Sequence, residues 1–485
     1  MVGCRDIVTV IWPKLVCNHY IVMHTIWTPT LSGQGPLYRR LLEALRQAIQ
    51  SGELPAGTRL PTHRALADRL GITPGTVTRA YHEAEQCGLL RARIGDGTYV
   101  RSTEEESQAP AWVMRQPTAG RIELWQNLPV GMDRSEAFNA AIAPLLQDPA
   151  RINALMEYSP AEGNPGHRAC TAEWLQQHGV AAHPDRLLFT YGAQNGLLLA
   201  LLALGLAGQP LLCEGLTYPG LISLANSLKI PLRGLAMDEQ GLQPEALEQA
   251  CQQGHFRALY LIPTLHNPTT VTMPLARREA ILAICARYQL WVIEDDVHGR
   301  LAVNPPPPLV NLAPERVICV GSLSKGSSAG LRLGYLLLPA ALYRAATQAI
   351  VASSWMISPL LVEIGCRWMA DGQANRLLQQ QQTLLLQRGA CAQQIMHGLD
   401  LVWQSGSMHA WLRLPEPWRA AALVAAAEQQ GIGLAGAELF AAGHFAAPQA
   451  VRLSLSHPQD DAALRQALQT VRALLESGQS CAPLI

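Results

Sequence analysis

Between residues 121 and 478, short apolar runs recur at 186–190, 210–213, 258–262, 290–294, 317–320 and 334–338, with stretches of helical periodicity between them. This alternation constrains the fold more than any other feature of the sequence. A strand that joins a parallel neighbour needs a crossover connection, and a helix fills it while covering one face of the sheet. The pattern predicts an α/β domain with a mostly parallel sheet and helices on both faces. In such sheets ligands sit beyond the carboxyl ends of the strands, so the residues after each run are the ones to inspect.

The chain has 485 residues, enough for two or three domains. Residues 35–101 follow a different pattern. Leu37, Leu41, Leu42, Leu45 and Ile49 share one helical face, and a segment with Gly52, Pro55 and Gly57 ends that helix. Thr62 can cap a second helix that stops at Gly71, and Thr73 a third that opens on Pro74 and ends at Gly88. Strands are expected at 89–93 and 98–101, joined by Ile94-Gly95-Asp96-Gly97. Helix, helix, glycine turn, helix, hairpin is the order of a winged helix-turn-helix, whose helix after the turn enters the major groove of DNA. Its exposed side chains would be Thr76, Thr78 and Arg79. Arg64 is placed to meet a phosphate, and Arg91 and Arg93 lie on the wing. The segment carries ten arginines and six acidic residues, a net charge of +4.

Leu60-Pro-Thr-His-Arg64-Ala, Leu70-Gly-Ile-Thr-Pro-Gly-Thr76-Val-Thr-Arg79 and Gly95-Asp-Gly-Thr-Tyr-Val100 resemble the GntR-family DNA-binding domain. The resemblance implies that Arg64, Thr76, Thr78, Arg79 and Gly95 face double-stranded DNA. Pro74-Gly75 departs from the polar or basic pair that family members often carry there.

Residues 1–34 form a segment without an assigned role, and Met23 is an alternative start. Residues 7–12 lack the basic lead-in and cleavage site of a signal peptide. The apolar run 196–207 is shorter than the ~20 residues that span a bilayer. Residues 102–120, with Glu104, Glu105, Glu106, Pro110 and Pro117, read as a linker. Hydrophobic residues at 49% and charged residues at 15% exclude a disordered chain. Eleven cysteines without a CxxC pair, and histidines without HExxH spacing, predict reduced buried thiols, no metal and a cytoplasmic setting.

Behind the strands stand groups with chemistry. Tyr191-Gly-Ala193-Gln194 opens a helix after the first run, where backbone N–H groups can meet a phosphate. Tyr218, Asn267, Asp295 with Asp296, then Ser322, Ser324, Lys325 and Arg332 follow later runs. Singly, each has an ordinary reading as a turn, cap or surface residue. Together they supply an anion cradle, an aromatic ring, an amide, a carboxylate, an amine and a cation. That set suits pyridoxal 5′-phosphate, whose aldehyde forms a Schiff base with an amine and whose pyridine nitrogen needs a carboxylate. The chain has only three lysines, Lys14, Lys229 and Lys325. Lys14 lies in the N-terminal segment and Lys229 at a helix end leading into a strand, which leaves Lys325.

The arrangement resembles the fold-type I aminotransferases over nearly all of 121–478. The resemblance implies that Lys325 is the Schiff-base lysine and that Asp295 pairs with the pyridine nitrogen, with Asp296 one register away. It implies Asn267 at the phenolic oxygen and Tyr218 against the ring. Ala193, Gln194, Ser322, Ser324 and Arg332 would contact the phosphate. Tyr158 would reach the phosphate of a partner subunit in a homodimer, and Arg452 would grip a ligand carboxylate. Val297 and His298 stand where many members have a tyrosine. His298 can donate to the phenolic oxygen, with a charge expected to vary near neutral pH.

A GntR-type domain before an aminotransferase-like domain resembles the MocR subfamily of transcriptional regulators. The resemblance implies a DNA-binding regulator that senses an amino compound, or the cofactor itself, through Lys325. The alternatives are a working aminotransferase with an accessory DNA-binding domain and a module that reports cofactor level alone.

Overall fold

The computed structural model describes residues 27–31, 35–55, 57–86, 89–93, 97–100 and 120–478. The chain divides into two compact units, Met1–Val113 and Met114–Ile485.

In the smaller unit helices α1 (Leu37–Gln50), α2 (His63–Leu70) and α3 (Pro74–Gln86) precede strands β1 (Leu90–Arg93) and β2 (Gly97–Val100). The caps have physical causes. Thr62 accepts from the backbone N–H of Ala65 at the start of α2, and Gly71 ends it in the left-handed region at φ 64. The Thr73 hydroxyl accepts from the N–H of Thr76 at the start of α3. Leu41, Leu45, Leu54, Leu66, Val77 and Ala80 are buried together, so the three helices share one core. β1 and β2 pair antiparallel, from Leu90 opposite Val100 to Arg93 opposite Gly97.

The larger unit is built on seven strands: β3 (Leu187–Thr190), β4 (Leu211–Glu214), β5 (Leu232–Leu235), β6 (Ala258–Leu261), β7 (Trp291–Asp295), β8 (Val317–Ser322) and β9 (Gly334–Leu337). Their order is β3-β9-β8-β7-β6-β4-β5. β9 runs antiparallel to both neighbours, and the other pairs are parallel. Along β6, Leu259 and Leu261 enter the core on one face, and Ala258 and Tyr260 the core on the other. Burial on both faces is why these strands read as unbroken apolar runs rather than alternating ones. A second sheet packs the antiparallel strands Leu401–Val402, His409–Arg413, Ala450–Ser454 and Ala435–Gly436 in that order. It buries Leu412, Leu453, Leu423 and Val471 with the helices Ala420–Gln429 and Asp461–Glu476.

The second sheet was not anticipated from the sequence, whereas β5 stands where the helix end at Lys229 leads into a strand. Of the described cysteines, Cys213, Cys285, Cys319 and Cys366 are buried, and Cys170, Cys251 and Cys391 are half-buried; all are free. No helix among the described residues is long and apolar enough to cross a membrane.

Candidate functional site

Strand direction gathers the candidate residues of the larger unit. Lys325 lies in the turn that leaves β8. Its Nζ donates to the backbone oxygen of Asn127 at 2.5 Å. Burial and the nearby Arg452 push its amine down to about 8, against the opposing pull of Asp295. Asp295 is the last residue of β7 rather than the first of the following loop. One carboxylate oxygen accepts from the Tyr260 hydroxyl at 2.7 Å and the other from the N–H of Val297 at 3.2 Å. Burial still dominates and pushes the carboxyl up to about 6. Asp296 binds Arg300 at 2.6 Å instead. Of the two aspartates, Asp295 is the one whose charge acts on Lys325.

The start of the helix Gly192–Ala203 carries the anion-binding features. Gly192 has φ 74, and a Cβ there would lie 2.7 Å from Nη2 of Arg332. That nitrogen donates to the Tyr191 carbonyl at 3.2 Å. Ala193 lies in the first turn, and Gln194 donates to the Gly220 carbonyl at 2.9 Å. Tyr218 precedes the helix Pro219–Ser227, and only glycine fits at 220, since a Cβ would meet the Tyr218 ring at 2.2 Å. Burial and then the charge of Asp295 push the Tyr218 phenol up to about 12. The Ser322 hydroxyl accepts from the N–H of Ser324 at 3.0 Å and lies 2.8 Å from its hydroxyl.

Arg452, on Ala450–Ser454, reaches across from the second sheet. Nη1 donates to Asn267 Oδ1 at 2.6 Å, and Nη2 donates to the Trp125 carbonyl. Burial pulls its guanidinium down to about 9. His298 is buried, and its ring is tilted against that of His409 with centroids 6.0 Å apart. Burial, with Lys325 and Arg452 nearby, pushes His298 down to about 3. The expected charge change near neutral pH is therefore corrected: in this surrounding the ring stays neutral. Tyr158 is 81% exposed and makes no part of this cluster within one chain.

Asn127, Tyr260 and His409 join the cluster without having been singled out in the sequence. Tyr260 is hidden inside an apolar strand run. Asn127 and His409 are 282 positions apart, and no short-range pattern links them.

In the smaller unit Arg64 and Thr78 are exposed. Thr76 was expected to be exposed but is half-buried, and its hydroxyl lies 2.9 Å from that of the capping Thr73. The Thr78 hydroxyl donates to the Pro74 carbonyl at 3.0 Å. Arg79 is exposed and lies over the Tyr38 ring at 3.9 Å. Gly95 and the side chains of Arg91 and Arg93 lie outside the described residues.

Residues 122–471 match the family described as aminotransferase class I and II, and residues 37–100 the gntR family of bacterial regulatory proteins. The HTH-type transcriptional regulator YdeF of Bacillus subtilis is 31% identical over 457 residues, covering 93% of this chain and 97% of its own length. The probable rhizopine catabolism regulatory protein MocR of Rhizobium meliloti is 29% identical over 332 residues, 63% of this chain and 66% of its own. Among solved structures, the α-aminoadipate aminotransferase LysN of Thermus thermophilus, complexed with N-(5'-phosphopyridoxyl)-L-leucine, covers 82% of this chain and 98% of its own. It shares the fold at a TM-score of 0.67 and 23% identity. A helix-turn-helix unit joined to an aminotransferase domain, together with a regulator matched over nearly its full length and a MocR relative matched over two thirds of its own, makes this chain a member of the MocR subfamily of GntR-type transcriptional regulators.

Proposed function

We propose that this regulator holds pyridoxal 5′-phosphate on Lys325, reads an amino compound there, and sets the DNA binding of its helix-turn-helix unit accordingly. The observation that carries the reading is the place of Lys325, past the end of β8, where Asp295 at the end of β7 and Arg452 from the second sheet both act on its amine.

The residues present fit the cofactor. A Cβ at Gly192 or Gly220 would fill the space beside Arg332 and Tyr218. Gln194 Oε1 and Arg452 Nε are buried and unpartnered among the described residues. Ser322, Ser324, Arg332 and the N–H groups of Ala193 and Gln194 would hold the phosphate, Tyr218 would cover the ring, and Asn267 and His298 would face the phenolic oxygen. When bound, the cofactor supplies a reactive aldehyde and an electron-withdrawing ring. Asp295, positioned by hydrogen bonds from Tyr260 and Val297, would face the pyridine nitrogen as a carboxylate above its pKa of about 6. Lys325 supplies the amine, and its depressed pKa leaves more of it neutral and nucleophilic at physiological pH than an exposed lysine. Arg452 binds a carboxylate by paired N–H donors.

Two surfaces complete the reading. Arg64, Thr78 and Arg79 present donors to a DNA operator, with Thr76 and Gly95 beside them. Tyr158, Met156, Leu146 and Trp355 are exposed at 81%, 69%, 69% and 62%, a set that a second copy in a homodimer would cover. Signal and operator are coupled only if each favours a different state of that dimer. A second reading, turnover as an aminotransferase, is favoured by the Lys325 amine near 8, a value suited to moving a proton at neutral pH.

The test is a titration of the cofactor-loaded chain with a panel of amines and amino acids, following visible absorbance and operator binding together. An amine that changes both supports the regulator. Sustained turnover with a keto acid and unchanged operator binding would support the enzyme instead.

A further inference from the structure

We propose that Asn127 reads the ligand: its side-chain oxygen accepts a hydrogen bond from a hydroxyl on an amino acid bound between Lys325 and Arg452. The inference rests on the function proposed above and names the class of amino compound the site prefers.

One short segment touches both cations. The Trp125 carbonyl accepts from Arg452, and the Asn127 carbonyl accepts from Lys325 at 2.5 Å. Asn127 is 9% exposed, and its side chain is fixed from behind by His409, whose Nδ1 lies 2.8 Å from Asn127 Nδ2. The orientation of the amide follows from the histidine. Nε2 of His409 lies 3.2 Å from the carbonyl oxygen of His266, which can only accept, so Nε2 carries the proton. A ring buried among Arg452 and His298 has no second proton to offer, so its Nδ1 is a bare acceptor. Only an N–H fits opposite it. Nδ2 of Asn127 is therefore turned to His409, and Oδ1 is turned away.

That Oδ1 is buried and has no hydrogen-bond partner among the described residues. Buried acceptors are nearly always paired, and an unpaired one carries a desolvation penalty that a donor removes. Lys325 Nζ is engaged by the Asn127 carbonyl and the two Nη groups of Arg452 by Asn267 and Trp125, and Arg452 Nε, which has no partner among the described residues, is left to the ligand's carboxylate. In a bound amino acid, the amine meets the position of Lys325 and the carboxylate that of Arg452. What remains for Oδ1 is a further donor on the ligand. Burial, Arg452 and Arg332 together outweigh Asp295 in lowering the Lys325 pKa, and the same surroundings disfavour a second ammonium, so a neutral hydroxyl is the donor that fits.

The test is visible-absorbance titration of the full-length, cofactor-loaded protein with two matched pairs, L-serine against L-alanine and L-homoserine against L-2-aminobutyrate. Wild type is expected to bind the hydroxyl member of at least one pair about tenfold more tightly, the effect of one hydrogen bond. Asn127→Ala, and Asn127→Leu as a variant of similar volume, should lose the preference, read as the ratio of the two affinities within each pair. Equal binding within each pair by wild type, no response to any of the four, or a preference that survives both substitutions would overturn the assignment. A wild-type protein that takes up no cofactor would overturn the function on which the inference rests, and the inference with it.

Discussion

Arg452 Nη1 donates to Asn267 Oδ1 across 2.6 Å, joining residues 185 positions apart. The bond ties the second sheet to the turn that follows strand β6, and it orients the guanidinium before any ligand arrives. Replacing Arg452 by Gln should weaken binding of alanine by roughly tenfold to a hundredfold, the effect of losing roughly 1.5–3 kcal/mol of charged hydrogen bonding. Ethylamine, which has no carboxylate, should bind unchanged. Absorbance titrations of the cofactor-loaded variant with both compounds check this.

Asp295 gives a pH prediction. Its carboxyl is pushed up to about 6, chiefly by burial. A carboxyl with a higher pKa folded than unfolded favours the folded state when protonated. The contribution is complete below the unfolded value of about 4 and is lost as pH rises through the folded value. Cofactor-free Asp295→Asn should therefore be more stable than cofactor-free wild type at pH 8, by on the order of 2 kcal/mol. The gap should close near pH 4. Urea unfolding at both pH values measures it.

Glu363 is a structural hub away from the site. It is buried and binds Arg151 at 2.5 Å, His167 at 2.7 Å and Arg367 at 2.8 Å. Burial opposes its charge, but the hydrogen bonds from Arg151, His167 and Arg367 prevail and hold its carboxyl down to about 2. Glu363→Gln should cost roughly 3 kcal/mol at pH 7, as expected when one partner of a buried ion pair is removed. Because the folded pKa is depressed, the wild-type advantage is complete above the ordinary carboxylate range and shrinks as pH falls toward 2. Denaturant titrations across this range test the sign.

In the smaller unit, exposed Arg64 stands at the start of α2. Arg64→Ala should weaken binding of unrelated and operator DNA alike and reduce the slope of log affinity against log salt by about 0.9, the loss of one phosphate contact. Fluorescence anisotropy at several salt concentrations reads the slope.

What the sequence shows and hides follows from range. Asp295, Asn267, Ser322 and Lys325 stand at or just past strand ends, where an α/β fold concentrates ligand contacts, so a local pattern exposes them. β5 shows no unbroken apolar run, because Arg233 and Gly234 interrupt it and as an edge strand it is only partly buried; the helix end at Lys229 marks its place instead. The second sheet contains strands of two residues, too short to show a period. Asn127 and His409 meet only through the fold. The neutrality of His298 depends on burial beside Lys325 and Arg452, which no local stretch records.

The regulator proposed here depends on one particular amine to hold the cofactor, and the scarcity of lysine opens that dependence to a direct test. The chain offers Lys14, Lys229 and Lys325. Borohydride reduction of the cofactor-loaded protein, followed by peptide mass mapping, should find the pyridoxyl-phosphate mass on the peptide that holds Lys325 and on no other. Label on Lys14 or Lys229 instead, or no label at all, would contradict the account.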